Sequence, residues 1–161
     1  MDIIYVPVIY EPKELKNFDE LVKRLPKELG IVYTVQFLEY GKLIKSKLEE
    51  MGFKVYVGKS PFIENPGQVL GCDPLAANVP TNTILYIGEG KFHPIEISRK
   101  LNKNIIRYSP LSGEIEIVKE DEKFFRRVEI LKYKLLQSKN VGIVSSVKPG
   151  QYLMNDMLKT K

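Results

Sequence analysis

Residues 83–108 read TILYIGEGKFHPIEISRKLNKNIIRY and decide the fold class. The apolar run Thr83–Ile87 predicts a strand, the segment from Pro94 to Leu101 predicts a helix, and Asn104–Tyr108 predicts a second strand. A strand, a helix and a further strand in succession are typical of parallel pairing with a right-handed crossover. This unit therefore predicts an α/β fold, a parallel sheet covered by helices.

The same alternation continues on both sides of this unit, and it predicts a parallel sheet of four to five strands flanked by helices. The remaining predicted strands are Asp2–Ile9, Gly30–Val35, Phe53–Val57 and Val141–Val147. The remaining predicted helices are Asn17–Leu25, Phe37–Met51, Lys119–Lys139 and Gln151–Lys161. Between Gly58 and Pro80 we expect a long loop, with a short helix near Leu75–Asn78.

A short internal match suggests that the chain contains parts of repeated units. The sequence GIVYTV at Gly30–Val35 resembles GIVSSV at Gly142–Val147, and an aromatic–leucine pair follows each. We expect 1–25 to be the tail of one unit, 26–112 a complete α/β domain, 113–140 a linking helix and 141–161 the start of a further unit. The strand that opens the chain and the helix that runs to its end lead us to expect a middle segment of a longer or split protein.

Composition narrows the class of protein. With 161 residues, 43% of them hydrophobic, the chain can bury one core, and it contains no apolar run long enough to span a membrane. The single cysteine excludes an internal disulfide framework and favours a reducing, cytoplasmic location. The net charge of +5 comes without a recognised nucleic-acid motif. We therefore expect neither a nucleic-acid partner nor a membrane partner.

The long loop contains the stretch NPGQVLGCDPLAA, residues 65–77, and in it the only cysteine, Cys72. A lone free cysteine is most often a small buried hydrophobic residue. The surrounding residues favour a different interpretation, because Gly71 permits close backbone approach while Pro66 and Pro74 stiffen both flanks. On residue types alone, a buried cysteine and a thiol presented for chemistry both remain open.

Other unusual loops also follow predicted strands, and in a parallel sheet the loops at the carboxyl ends share one edge, where ligands bind. Gly88, Gly90 and Lys91 precede a helix and could hold an anion, although an ordinary tight turn fits them as well. Their spacing differs from the dinucleotide and phosphate-loop patterns. His93 is the only histidine; it could cap a helix, bind a metal or act as a base, and a structural hydrogen bond is the commoner use.

The stretch NPGQVLGCDPLAA, followed by ILYIGEGKFHPIEIS, by NIIRYSP and by a long charged helix, resembles the diphthamide synthase family of archaea and eukaryotes, the 2-(3-amino-3-carboxypropyl)histidine synthases. The resemblance implies an enzyme of three similar α/β domains, each giving one cysteine to a shared 4Fe-4S cluster. That cluster binds and cleaves S-adenosylmethionine, and a 3-amino-3-carboxypropyl radical is added to a histidine of translation elongation factor 2. A dimer of the full enzyme is also implied.

The resemblance places Cys72 in the cysteine motif of the middle domain, where it would ligate iron as a soft thiolate. We further expect Gln36, Gly88, Gly90, Lys91 and His93 to line the cofactor pocket, because they lie on the same predicted edge. A single cysteine provides one of three cluster ligands, so the chain alone is expected to be inactive, and we assign no catalytic residue. Two alternatives remain: a noncatalytic partner or structural module of the same complex, and a thiol enzyme that uses Cys72 and His93.

Overall fold

The computed structural model describes residues 6, 8–118, 122–144 and 159. The chain forms two compact units, residues 1–120 and 121–161. Within the described ranges, the first unit contains one five-stranded sheet and the second contains one long helix, Glu122–Gln137.

The sheet of the first unit has the order β2-β1-β3-β4-β5. Its first four strands are parallel, which confirms the predicted α/β class, and β5 runs antiparallel to β4. The strands are β1 Glu28–Tyr33, β2 Lys54–Tyr56, β3 Thr83–Ile87, β4 Asn104–Tyr108 and β5 Ile115–Val118.

Strand β5 was not predicted, because the segment IEIV is short and was assigned to the link after residue 112. It forms because the chain reverses tightly after β4. The Gly113 N–H donates to the Ser109 carbonyl oxygen at 2.8 Å, and the Ser109 N–H donates to the Glu114 carbonyl oxygen at 3.0 Å. Gly113 has φ +80°, which glycine adopts without strain. The reversal brings β5 alongside β4 as an antiparallel edge strand.

Helices cover the sheet on both faces. On one face, α1 (Phe18–Arg24) and α2 (Leu38–Glu50) bury Leu21, Ile44 and Leu48 against the strands. On the other face, α3 (Phe92–Leu101) and the long loop bury Ile97 and a pair of alanines against Val32 and Ile84. The alanines belong to a 3₁₀ helix, Leu75–Ala77, close to where a short helix was predicted, and a second 3₁₀ helix, Val35–Phe37, leads into α2.

The two outer predicted strands are not formed by their described residues. Val6, Val8 and Ile9 are irregular and exposed, and so are residues 141–144. An extended segment counts as a strand only when its backbone groups pair with a neighbour, and no neighbour pairs with either segment in the described ranges. The rest of these two strands, and all of the final helix except residue 159, lie outside the described residues. The division into units at 25, 112 and 140 stays a prediction.

The strand order positions the candidate site. The chain passes from β1 to β2 on one side and then returns past β1 to β3 on the other, so the order reverses between β1 and β3. In open parallel sheets, ligands bind at the carboxyl ends of the strands beside such a reversal. The segments after β1, β2 and β3 all begin at this edge.

Two isoleucines, one on a central strand and one on the edge strand, test which strands of the sheet are buried in the core. Ile84 on β3 is 0% exposed, whereas Ile117 on β5 is 60% exposed. We expect Ile84→Ala to lower the free energy of unfolding by about 2–5 kcal/mol, because it leaves a cavity in the core. Ile117→Ala should change it by less than about 0.5 kcal/mol. Urea unfolding followed by circular dichroism measures both, and equal losses would contradict this placement.

Candidate functional site

The loop that contains Cys72 begins as a continuation of the sheet. Beyond the end of β2, Gln68 pairs in parallel with Tyr33, the last residue of β1. The Tyr33 N–H donates to the Gly67 carbonyl oxygen at 2.9 Å, and the Val69 N–H donates to the Tyr33 carbonyl oxygen at 2.9 Å. The Tyr33 hydroxyl also donates to the Pro66 carbonyl oxygen. The first half of the loop is therefore fixed to the carboxyl end of β1.

Cys72 lies at the tip of a four-residue turn, Leu70–Asp73. The Leu70 N–H donates to the Asp73 carbonyl oxygen at 3.0 Å, and the Asp73 N–H donates back to the Leu70 carbonyl oxygen at 3.1 Å. Cys72 is exposed, so the interpretation as a buried hydrophobic residue is wrong. A turn tip projects its central side chains away from the core, which decides between the two environments that residue types alone left open.

The turn packs against the start of α3 through Gly71. A Cβ atom at Gly71 would lie 2.1 Å from the Phe92 ring, closer than any real contact, so only glycine fits without displacing that ring. Phe92 is the first residue of α3 and directly follows the Gly88–Lys91 bend. The structure thus brings the Cys72 turn and the Gly88–His93 segment together, as their place on one edge predicts.

Side chains hold the turn on two further sides. The Ser60 hydroxyl donates to the Asp73 carboxylate, and the Leu75 N–H donates to Asp73 Oδ1 at 3.0 Å. From α3, Lys100 Nζ donates to the Cys72 carbonyl oxygen at 3.2 Å. Sequence reasoning did not single out Asp73, Ser60 or Lys100. The Asp73-Pro74 pair is a turn signal in the sequence that pointed to Asp73. No sequence signal pairs Ser60 with Asp73, 13 positions away, or Lys100 with Cys72, 28 positions away.

The Gly88–Lys91 bend joins β3 to α3. The Gly88 N–H donates to the Tyr108 carbonyl oxygen at 3.1 Å, and Gly90 has φ +72°, where glycine is favoured. Lys91 Nζ lies 2.5 Å from Glu116 Oε1, and this hydrogen bond lowers the pKa of the Glu116 carboxyl. The Lys91 ammonium is therefore paired with a carboxylate of β5, and the bend has the geometry of a tight strand-to-helix turn.

Strands β4 and β5 hold the bend from the other side. The Ser109 hydroxyl, which is fully buried, donates to the Glu89 carboxylate. Arg107, 2% exposed, contacts Glu114 at 2.7 Å and Glu116 at 3.1 Å through Nη2. A buried guanidinium needs such partners, because an unpaired charge in the interior is costly. Glu116 of the edge strand thus connects the bend, through Lys91, to the buried Arg107.

His93 packs between two aromatic rings in the first turn of α3. Its imidazole stacks on Tyr86, with centroids 6.1 Å apart and planes 13° apart, and meets the edge of Phe92 at 5.4 Å. Burial lowers the pKa of His93 and raises the pKa of Tyr86 to about 12. Within the described part of the chain no hydrogen bond involves the imidazole, so the expected structural hydrogen bond is not formed.

Gln36 lies in the 3₁₀ helix after β1, on the loop next to these segments. Its side chain is exposed, and its backbone carbonyl oxygen accepts a hydrogen bond from the Tyr10 N–H at 2.8 Å. Two residues earlier, the Thr34 side chain interacts with Tyr86 and partly offsets the rise in the pKa of that phenol, whose hydroxyl donates to the Glu89 carbonyl oxygen at 3.4 Å. Tyr86 therefore links the loop after β1 to His93, a contact that sequence reasoning missed.

The residues present suit one ligand of a shared metal group rather than a complete metal site. Over the described ranges, no group of three or more His, Cys, Asp or Glu side chains is placed to hold a metal ion. An exposed cysteine on a fixed turn does suit a soft metal, and iron–sulfur clusters are bound by several thiolates. The sequence contains one cysteine, so a cluster bound here would need further thiolates from another polypeptide segment. In the same described ranges, no helix is both long and apolar enough to cross a membrane.

The exposure of Cys72 predicts its behaviour toward maleimide reagents. We expect one thiol per chain to be modified without denaturant, because the side chain is exposed. As a matched control, Val69→Cys in a Cys72→Ser background should react only after unfolding, since position 69 is 0% exposed. Mass spectrometry of native and denatured samples gives the stoichiometry, and protection of Cys72 in the native state would contradict the turn described above.

The single histidine can be titrated by NMR without assignment. We expect the pKa of His93 to lie below 6.5, because burial disfavours the imidazolium. The unfolded state then binds more protons than the folded state between the two pKa values, so this group makes the protein less stable as the pH falls through that window. Phe92→Ala should move the pKa back toward 6.5 by exposing the ring. A wild-type pKa at or above 6.5 would show that the ring is not desolvated.

Comparison with known proteins confirms the predicted family. The diphthamide synthesis protein family matches residues 1–160. The 2-(3-amino-3-carboxypropyl)histidine synthase of Pyrococcus horikoshii is 31% identical over 155 residues, which cover 91% of this chain and 45% of the relative. The synthase of Methanocaldococcus jannaschii is 33% identical over 142 residues, covering 86% and 35%.

Solved structures show the same relationship. Dph2 from Pyrococcus horikoshii superimposes with a TM-score of 0.74 at 30% identity, covering 89% of this chain and 42% of that one. The structure of the same protein with a 4Fe-4S cluster gives a TM-score of 0.75 at 28% identity, covering 90% and 45%. The chain thus spans less than half the length of these relatives. Its sequence and its fold together show that the chain belongs to the diphthamide synthesis protein family.

Proposed function

We propose that this chain provides one thiolate, Cys72, to the 4Fe-4S cluster of an enzyme that catalyses the first step of diphthamide biosynthesis. The reaction transfers a 3-amino-3-carboxypropyl group from S-adenosylmethionine to a histidine of translation elongation factor 2. The main support is that the only cysteine is exposed on a turn fixed at the carboxyl edge of the sheet. A solved protein similar to this chain is described with a 4Fe-4S cluster.

The role of Cys72 is to bind iron, and the role of the surrounding residues is to keep its turn in place. When bound, a reduced cluster of this kind supplies the electron that cleaves a carbon–sulfur bond of S-adenosylmethionine. The contact between Gly71 and Phe92 and the hydrogen bond from Lys100 fix the turn relative to α3. Thiolate ligands held in this way do not have to be ordered when the metal binds, which favours binding.

We also propose that Gly88, Gly90, Lys91 and His93 line the pocket for S-adenosylmethionine, with Gln36 contributing from the neighbouring loop. The bend lies at the positive end of the α3 dipole, which favours the carboxylate of this cofactor. Burial lowers the pKa of His93, so its ring is neutral near pH 7 and does not repel the sulfonium.

The count of thiolates determines which partners are needed. Iron–sulfur clusters are bound by several cysteine thiolates, and this chain has one. We therefore propose that the other ligands belong to the part of the full enzyme that this chain does not cover, that the chain is inactive alone, and that the full enzyme is a cytoplasmic dimer. The shortage of ligands also supports a second candidate function, a noncatalytic partner of that complex.

The experiment is anaerobic reconstitution of the full enzyme with ferrous iron and sulfide. We expect Cys72→Ala to lose most of the bound iron and the visible absorption of the cluster, because one ligand is removed. Met51→Ala is the matched control, since it removes an exposed sulfur outside the site and should load normally. Equal iron content in Cys72→Ala and the wild type would refute the ligand assignment.

Co-purification separates the two candidate functions. A stable complex with a cysteine-bearing polypeptide that loads iron only when Cys72 is present supports the cluster-ligating role. A complex that loads the same amount of iron in Cys72→Ala supports the noncatalytic partner.

A further inference from the structure

The hydrogen bond between Asp73 and Ser60 has a role that the assignments above leave open. We propose that these two side chains are positioning residues for the Cys72 thiolate, and that their bond keeps the Leu70–Asp73 turn in the arrangement that exposes the thiol. The mechanical role, which is to keep the turn ordered, is inferred from the contacts alone. Its chemical purpose, holding a ligand for iron, rests on the proposed function.

Ser60 is a fixed anchor. It is 0% exposed, and its Oγ accepts a hydrogen bond from the Phe62 N–H at 3.1 Å while its hydroxyl proton goes to the Asp73 carboxylate. Water cannot compete for the hydrogen bond of a buried hydroxyl, so that bond is more stable than the same bond from an exposed hydroxyl. Asp73 is therefore attached to a buried side chain of the same loop.

The second carboxylate oxygen of Asp73 attaches the turn to another fixed element. Asp73 Oδ1 accepts the N–H of Leu75, the first residue of the 3₁₀ helix. The next two residues of that helix, Ala76 and Ala77, are both 0% exposed in the core. The Asp73 side chain thus joins the Cys72 turn to Ser60 and to the 3₁₀ helix Leu75–Ala77, each of which contributes buried residues.

The backbone hydrogen bonds of the turn do not fix the thiol by themselves, and the contact between Gly71 and Phe92 holds the turn on one side only. Its central pair includes Gly71, which gains freedom from the absence of a Cβ atom, and only two backbone hydrogen bonds close the turn. The contribution of Lys100 comes from an exposed side chain, whose hydrogen bonds compete with water. The better-buried bond, from Ser60 to Asp73, is therefore the one expected to determine the order of the turn.

The charge of Asp73 makes a second effect measurable. A carboxylate next to the ligating residue adds negative charge near the cluster, which stabilises the oxidised form and lowers the reduction potential. Asparagine can keep both contacts, because its oxygen can accept from Leu75 while its amide donates to Ser60 Oγ. Asp73→Asn therefore separates the charge from the positioning.

The lone cysteine allows a direct test in the chain itself. A nitroxide spin label attached to Cys72 reports the mobility of the turn by electron paramagnetic resonance. We expect a motionally restricted spectrum for the wild type and for Asp73→Asn, and a mobile spectrum for Asp73→Ala and Ser60→Ala. Glu64→Ala is the matched control, since it removes an exposed carboxylate from the same loop and should leave the spectrum unchanged.

An unchanged spectrum in both Asp73→Ala and Ser60→Ala overturns the proposal, provided that circular dichroism shows folded protein. If Asp73→Ala fails to fold, Ser60→Ala decides the question by the same spectrum. A mobile spectrum for the wild type also overturns the proposal.

The full enzyme tests the chemical purpose through titration with ferrous iron and sulfide. We expect Asp73→Ala to weaken iron binding by about ten- to a hundredfold, as is usual when a partner of a ligand is lost. Asp73→Asn should bind iron normally and show a higher reduction potential. If Cys72→Ala loses iron but Asp73→Ala does not, the positioning role is refuted and the proposed function stands. If Cys72→Ala keeps its iron, the proposed function fails and the spin label still decides the mechanical role.

Discussion

The structure of the site depends on how the backbone groups of Tyr33 are satisfied. Strand β2 is three residues long and pairs only with Glu28–Gly30 of β1, so the last part of β1 has no strand partner on that side. Buried backbone groups without partners are costly. The loop after β2 supplies the missing partners through Gly67 and Val69. A short strand thus forces the chain to return to the carboxyl edge of the sheet, and the turn that contains Cys72 begins at the next residue, Leu70.

The antiparallel strand β5 provides a carboxylate, Glu116, that pairs with the positive charges of Arg107 and Lys91 at the carboxyl edge of the sheet. Arg107 is buried, and its compensating carboxylates are Glu116 of β5 and Glu114, the residue just before that strand. Glu116 also contacts Lys91, so one carboxylate is shared between a buried guanidinium and an exposed ammonium. Because a buried charge without partners is strongly unfavourable, β5 cannot move away from β4 without a large loss of stability. The position of the bend before α3 therefore depends on the position of β5, which it contacts through Lys91 and Glu116.

The sequence predicted the parts of the fold that depend on local pattern. Apolar runs identified β1, β3 and β4, because strands buried between two helical layers are continuously apolar. It did not predict β5, where Ile115 and Ile117 alternate with polar residues over too short a segment. Residue types alone left the exposure of Cys72 open, and the sequence did not predict that His93 would stack on Tyr86. Both follow from packing between segments that are distant along the chain, which no local pattern records.

The exposure of Cys72 is informative because so much of its surroundings is rigid. A thiol on a mobile loop could reach many partners, but it would lose conformational entropy on binding any one of them. Here contacts within the chain itself fix the loop to Tyr33 and hold the turn against α3 through Phe92. The cost of ordering has thus been met during folding rather than during binding. An arrangement of this kind suits a ligand that must meet thiolates from elsewhere at one metal group, because each contributor then has a defined position.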